Sequence, residues 1–228
     1  MLPRLLVWTL LLPIATGSVF AVETVDDATR ATWTKSLGEL QPQISALRTK
    51  LPEDPRVADV AVWAKAADWI ARHNEFHKPD YLKWTTEALQ HGQQRATDLA
   101  NRQSAWMNRV GQTTVLGYVS DLDGSVQPYA VTLPKTFDPQ SRDKWPLHLV
   151  LHGRGDTLNE VSFLHQHEGK PLKNDVAWIQ LDVFGRTNNA YRWAGEADVF
   201  EALAAVKRRF PIDDRRITLW GFSMGGAG

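Results

Sequence analysis

The stretch "RITLWGFSMGGAG", Arg216 to Gly228, constrains the fold more than any other. A β-rich apolar run leads into Gly221, and Ser223 stands with a glycine two residues to either side. Glycine-x-serine-x-glycine after a strand predicts a sharp strand-to-helix turn that strains the serine backbone. Neighbouring segments then come so close that side chains at Gly221 and Gly225 would clash. Gly226 and Ala227 are small, as a helix starting tightly against a sheet requires. The turn exposes the Ser223 hydroxyl at the C-terminal edge of a sheet and at a helix N-terminus, where the dipole and free N–H groups favour negative charge. A tetrahedral acyl intermediate develops such a charge.

Two periodicities precede this turn. In residues 22–110, Leu37, Leu40, Ile44, Leu47 and Leu51 recur at helical spacing. Asp54-Pro55 opens a second helix carrying Val57, Val60, Ala61, Ala64 and Ala67. Lys78-Pro79-Asp80 opens a third, with Tyr81, Trp84, Ala88, Ala96 and Leu99 inward. Trp63, Trp69 and Trp84 are expected in the core. From Gly111 the pattern becomes β-like. "TTVLGYVS" and "VQPYAVTL" flank Asp123-Gly124, which signals a hairpin with a tight primed turn. "PLHLVLHG", "VAWIQLD" and "RITLW" are further strands, and Glu196–Phe210 is a helix with acids first and Lys207, Arg208 and Arg209 last. A hairpin followed by strand–helix–strand units predicts an α/β fold with a mostly parallel sheet.

A second element reinforces the first. "LVLHGRGD" ends a strand in His-Gly-x-Gly, 71 residues before Ser223. With "GYVSDLDGSVQPYAVTLP" and "GRTNNAYRWAGEADVFEAL", these segments resemble the α/β-hydrolase superfamily, specifically its prolyl oligopeptidase-like and esterase-like serine hydrolases. The resemblance spans roughly residues 111–228. It implies the N-terminal portion of an α/β-hydrolase sheet, through the serine turn, preceded by a helical segment. By position it implies Ser223 as nucleophile, the Met224 N–H as one oxyanion donor, and the Gly153–Arg154 segment as source of the other. Family triads run serine, acid, histidine, so the acid and the base are expected beyond Gly228, and residues up to Gly228 alone are expected to be inactive. Residues 22–110 are too few and too helical for the β-propeller of true prolyl oligopeptidases, which favours a compact esterase. The substrates it implies are carboxylic esters, carbohydrate-linked ones included, or peptides, and no cofactor is expected. The competing expectation is a non-catalytic hydrolase-like binding or scaffold protein. A further view makes residues 22–110 an interaction module.

Other motifs carry less. The loop "FGRTNNAYRWAG" follows a strand, and Arg186, Asn189, Tyr191 and Trp193 either hold a substrate group or pack on one another. His73 and His77 flank Glu75 at metal-ligand spacing, but the glutamate stands at the wrong position for a zincin, so they read as polar helix-end residues. "HQHE", His165 to Glu168, reads as a surface loop, and His152 as a residue ordering its loop. No metal is expected. The chain has no cysteine, hence no disulfide or thiolate site, and its 26 basic and 26 acidic residues give no reason to expect a nucleic-acid partner. Arg4, the apolar run Leu5–Ile14 and small residues Val19 and Ala21 describe a secretory signal over residues 1–21. Ten apolar residues are too few to span a bilayer of about 30 Å. The mature protein is therefore expected outside the cytoplasm without a stable membrane anchor.

Overall fold

A computed structural model describes residues 24–228; the expected signal segment, 1–21, lies outside the described residues. The N-terminal region forms three helices, α1 (Asp27–Lys50), α2 (Arg56–His73) and α3 (Asp80–Ala100). Asp26 caps α1 by accepting the Thr29 N–H at 2.8 Å. α2 begins just after Pro55, with Asp54 accepting the Arg56 N–H at 2.9 Å. Its buried residues lie all round its axis, as befits a helix covered on several sides. Trp69 is the exception among the expected core tryptophans: Trp63 is buried and Trp84 half-buried, whereas Trp69 is 43% exposed.

Five strands follow: β1 (Thr113–Val119), β2 (Val126–Thr132), β3 (Trp145–Leu151), β4 (Ile179–Val183) and β5 (Ile212–Gly221). Two helices intervene, α4 (Glu160–His167) between β3 and β4, and α5 (Ala194–Arg209) between β4 and β5. The sheet order is β1-β2-β4-β3-β5. β2 runs antiparallel to both β1 and β4, while β3 lies parallel to β4 and β5. The α/β class expected from the sequence, with helices before the sheet, is the one observed, and the sheet is mixed, with two of its four pairings parallel.

Two local expectations are corrected. The hairpin forms, but through the six residues Ser120–Ser125 and not a tight primed turn; only Gly124 takes positive φ (+71°), and Asp123 instead accepts the Ser125 N–H at 3.0 Å. His165 and His167 belong to α4 and not to a loop. Asn159 and Ser162 form a reciprocal capping box that starts this helix after a short connection.

Helices and sheet share one apolar core. α2 lies so close on β1 that a Cβ at Gly117 would stand 2.3 Å from the Ala58 carbonyl oxygen. The contact is held by Asp59, fully buried, which accepts from the Gly117 N–H (2.9 Å), the Trp106 indole (3.0 Å) and Arg209 on α5 (2.7 Å). Beside it, Arg95 of α3 donates to both carboxylate oxygens of Glu168 and to the Val115 carbonyl at 2.7 Å. Its guanidinium lies between the rings of Trp63 and Trp106.

Candidate active site

β5 ends at Gly221, and a single helical turn, α6 (Met224–Ala227), starts at once. Ser223 joins them with φ 52° and ψ −116°, a conformation that costs a non-glycine residue about 1–3 kcal/mol. Its surroundings impose it. A Cβ at Gly221 would lie 2.1 Å from the Gly225 carbonyl oxygen, and one at Gly225 would lie 2.2 Å from the Leu151 carbonyl oxygen. Both obstacles are backbone, so no side-chain rotation relieves them. Ser223 is exposed, on the outer side of the turn.

The loop after β3 stands against this turn. A Cβ at Gly153 would be 3.3 Å from the Phe222 carbonyl oxygen and 3.5 Å from Ser223 Cβ. Among the described residues, the N–H groups of Met224, Gly153 and Arg154 have no protein acceptor. The Arg154 side chain is exposed and pairs with Asp156 at 3.1 Å. His152 lies with each ring nitrogen against a backbone carbonyl, Gly153 at 2.8 Å and Phe184 at 2.9 Å. Neither nitrogen is turned toward the serine.

The segment after β4 braces the loop. Gly155 donates to the Asn188 side chain (3.0 Å), and Asn188 donates back to the Gly155 carbonyl (2.8 Å). Tyr191 is buried, and its hydroxyl accepts the His152 N–H at 2.6 Å. Burial pushes its phenol above the ordinary tyrosine range. Five non-glycine residues here have positive φ: Arg186, Thr187, Ala190, Tyr191 and Trp193. Trp193 starts α5 with φ 53° and ψ −117°, nearly the Ser223 geometry.

The residues singled out in this segment therefore divide. Tyr191 reaches the serine turn: a Cβ at Gly228 would be 3.1 Å from its ring. Asn189 turns inward, accepting the Tyr191 N–H at 2.9 Å. Trp193 is 81% exposed. Arg186 reaches away to the hairpin, where it pairs with Asp123 (2.5 Å) and donates to Ser120 Oγ (3.1 Å), and it also pairs with Asp198 of α5 (3.1 Å). Hydrogen bonding to Asp123 raises its guanidinium further, and Arg186 holds the Asp123 carboxyl well below the usual range. Sequence reading missed Asn188, whose only signal is its place in the Asn-Asn pair of a turn-rich segment. His73 ends α2 with its ring tilted against Trp69, and His77 lies beyond the helix. Among the described residues, no group of three or more potential ligands could hold a metal.

No family model and no curated protein matches the sequence. Solved structures are similar at low identity. A CE1 ferulic acid esterase from Anaeromyces mucronatus, solved with ferulic acid, is 18% identical with TM-score 0.34, over 50% of this chain and 49% of that one. FphF, a fluorophosphonate-binding serine hydrolase of Staphylococcus aureus, is 20% identical with TM-score 0.35, over 52% and 49%. A thermostable esterase is 19% identical with TM-score 0.35, over 52% of this chain and 36% of its own. The chain thus spans about half the length, or less, of the structures it is similar to.

Proposed function

We propose that this chain carries the nucleophile of an exported serine hydrolase that cleaves carboxylic esters through an acyl-enzyme at Ser223. The observation that carries the reading is the strained Ser223 backbone between two glycines whose side chains the backbone forbids. Ser223 Oγ attacks the ester carbonyl carbon and gives its proton to a histidine base. The carbonyl oxygen takes up negative charge facing the Met224 N–H and an N–H of the Gly153–Arg154 segment, donors already without other partners. Collapse expels the alcohol, which receives that proton, and water then releases the acid and restores the serine. In the serine–acid–histidine order of the superfamily, the acid and the base lie after the serine in the chain. Esters are favoured over peptides because residues 24–108 are helices and connections, unlike the β-propeller that accompanies the catalytic domain of true prolyl oligopeptidases. Export rests on the leader pattern of residues 1–21.

A second reading, a non-catalytic binding protein, draws on one observation: both ring nitrogens of His152 are already set against carbonyl oxygens, so the nearby histidine is no base. Turnover of p-nitrophenyl esters and Pro-containing peptides by the full-length protein decides between them. Ester turnover that falls by about 10⁴-fold or more in Ser223→Ala is expected. Turnover unchanged in that variant, or none in the parent, rejects the hydrolase reading, and a preference for the peptides rejects the ester one.

A further inference from the structure

The loop after β3 carries four successive N–H groups, His152 to Gly155, that divide into an outer and an inner pair. The outer two are bonded to side chains of the segment after β4. His152 donates to the Tyr191 hydroxyl at 2.6 Å, and Gly155 to Asn188 Oδ1 at 3.0 Å. The inner two, of Gly153 and Arg154, have no acceptor among the described residues. The carbonyls along the loop are held as well. Asn188 Nδ2 donates to that of Gly155 at 2.8 Å, the Tyr191 hydroxyl lies 3.4 Å from that of His152, and His152 Nδ1 lies 2.8 Å from that of Gly153.

These bonds fix directions. A trans peptide is planar and rigid, so its N–H points opposite to its C=O. The Gly153 N–H shares a peptide with the His152 carbonyl, and the Arg154 N–H shares one with the Gly153 carbonyl. Anchoring those two carbonyls therefore sets the aim of both free donors. The loop stands against the nucleophile, since a Cβ at Gly153 would be 3.5 Å from Ser223 Cβ. The clamping segment is itself strained, with positive φ at Thr187, Ala190 and Tyr191. Such strain persists where the surroundings over-determine the backbone, and it clusters at functional sites. We propose that Asn188 and Tyr191 are positioning residues for acyl transfer, clamping both ends of the loop so that the Gly153 and Arg154 N–H groups stay unpaired and aimed before substrate arrives. Each acts through the loop backbone and not on the substrate. The inference rests on the hydrolase reading and extends it to two side chains outside the serine turn. Donors set in advance need no reorganisation as charge develops.

Steady-state kinetics of the full-length protein on a p-nitrophenyl ester and on the matching thionoester test this. The thionoester has sulfur where the negative charge develops, and sulfur is the weaker acceptor, so it draws less on the donors. Asn188→Ala and Tyr191→Phe should lower kcat on the ester by about 10–100-fold, as a donor misplaced by about 1 Å does. KM should stay within about twofold, and the ester-to-thionoester ratio of kcat/KM should fall by about the same factor as kcat. Thr187→Val removes a bond from the same segment to the Leu158 carbonyl, beyond the free donors, and should keep the parental ratio. Tyr191→Phe removes one hydroxyl and keeps the buried ring, so it tests the clamp even where Asn188→Ala does not fold. The proposal is overturned if Tyr191→Phe or a folded Asn188→Ala keeps the parental ratio, which includes slowing both substrates equally, as a merely structural defect would. It is also overturned if Thr187→Val lowers the ratio as much. A parental ratio alongside an inactive Ser223→Ala sinks this inference alone, whereas no ester turnover by the parent, or turnover untouched in Ser223→Ala, sinks the hydrolase reading and this inference with it.

Discussion

Arg186 shows how far a residue's surroundings determine its work. Its place in a loop at a strand C-terminus suggests a substrate contact, yet its guanidinium is committed to Asp123, Asp198 and Ser120. The partners lie 63, 12 and 66 residues away, and no local pattern announces them. Ser223 was legible because its constraints are nearly all local: the glycines that permit the turn stand two residues to either side. The pairing makes a pH prediction. Asp123 has a depressed folded pKa, so it contributes stability above the ordinary carboxylate value of about 3.9 and loses it as pH falls through the lower folded value. Asp123→Asn should therefore lower Tm at pH 7 and converge on the parent toward pH 2. The pair is partly exposed, so the effect at pH 7 is about 0.2–1 kcal/mol. A Tm difference that stays constant from pH 7 to pH 2 would contradict the assignment.

At the scale of elements, strands and long helices followed their periodicity, and the errors cluster at short elements. α4 has only eight residues, too few to display a helical period, and its start signal is Asn159 with serine, not glutamate, three residues on. Its position is nonetheless firm. Asn159 Oδ1 accepts the Ser162 N–H at 3.0 Å, and Nδ2 donates to the Glu75 carbonyl at 3.1 Å, tying α4 to the α2–α3 connection. Asn159→Ala removes the cap and that tie together, and urea unfolding should report a loss of about 1–2 kcal/mol. A loss within the few tenths typical of a surface change would mean the cap is dispensable. Trp69 was misread for a related reason. α2 is apolar nearly all round, so spacing alone does not tell its one open side from its buried ones. Trp69 borders a cavity with Gln127 and Glu160, residues that meet only after folding.

Across the whole molecule, the helical region and the sheet are legible as separate stretches of sequence but share one core. The joint is the buried Asp59–Arg209 pair, with the Gly117 N–H and the Trp106 indole on the same carboxylate. Asp59→Ala strands a buried guanidinium and should cost about 3–5 kcal/mol in urea unfolding. A loss below about 1 kcal/mol would show that the joint contributes little. The opposite edge is different. β5 pairs with β3 on one side only, and Leu219, Trp220 and Phe222 are 62%, 62% and 75% exposed. Such an edge is a template for a further strand. The central claim is that Ser223 is an activated nucleophile. Fluorophosphonate labelling of the full-length protein, with the adduct mapped by peptide mass spectrometry, tests it most directly. The account predicts a single adduct on Ser223 that disappears in Ser223→Ala; labelling at another residue, or none in a folded and complete protein, would contradict it.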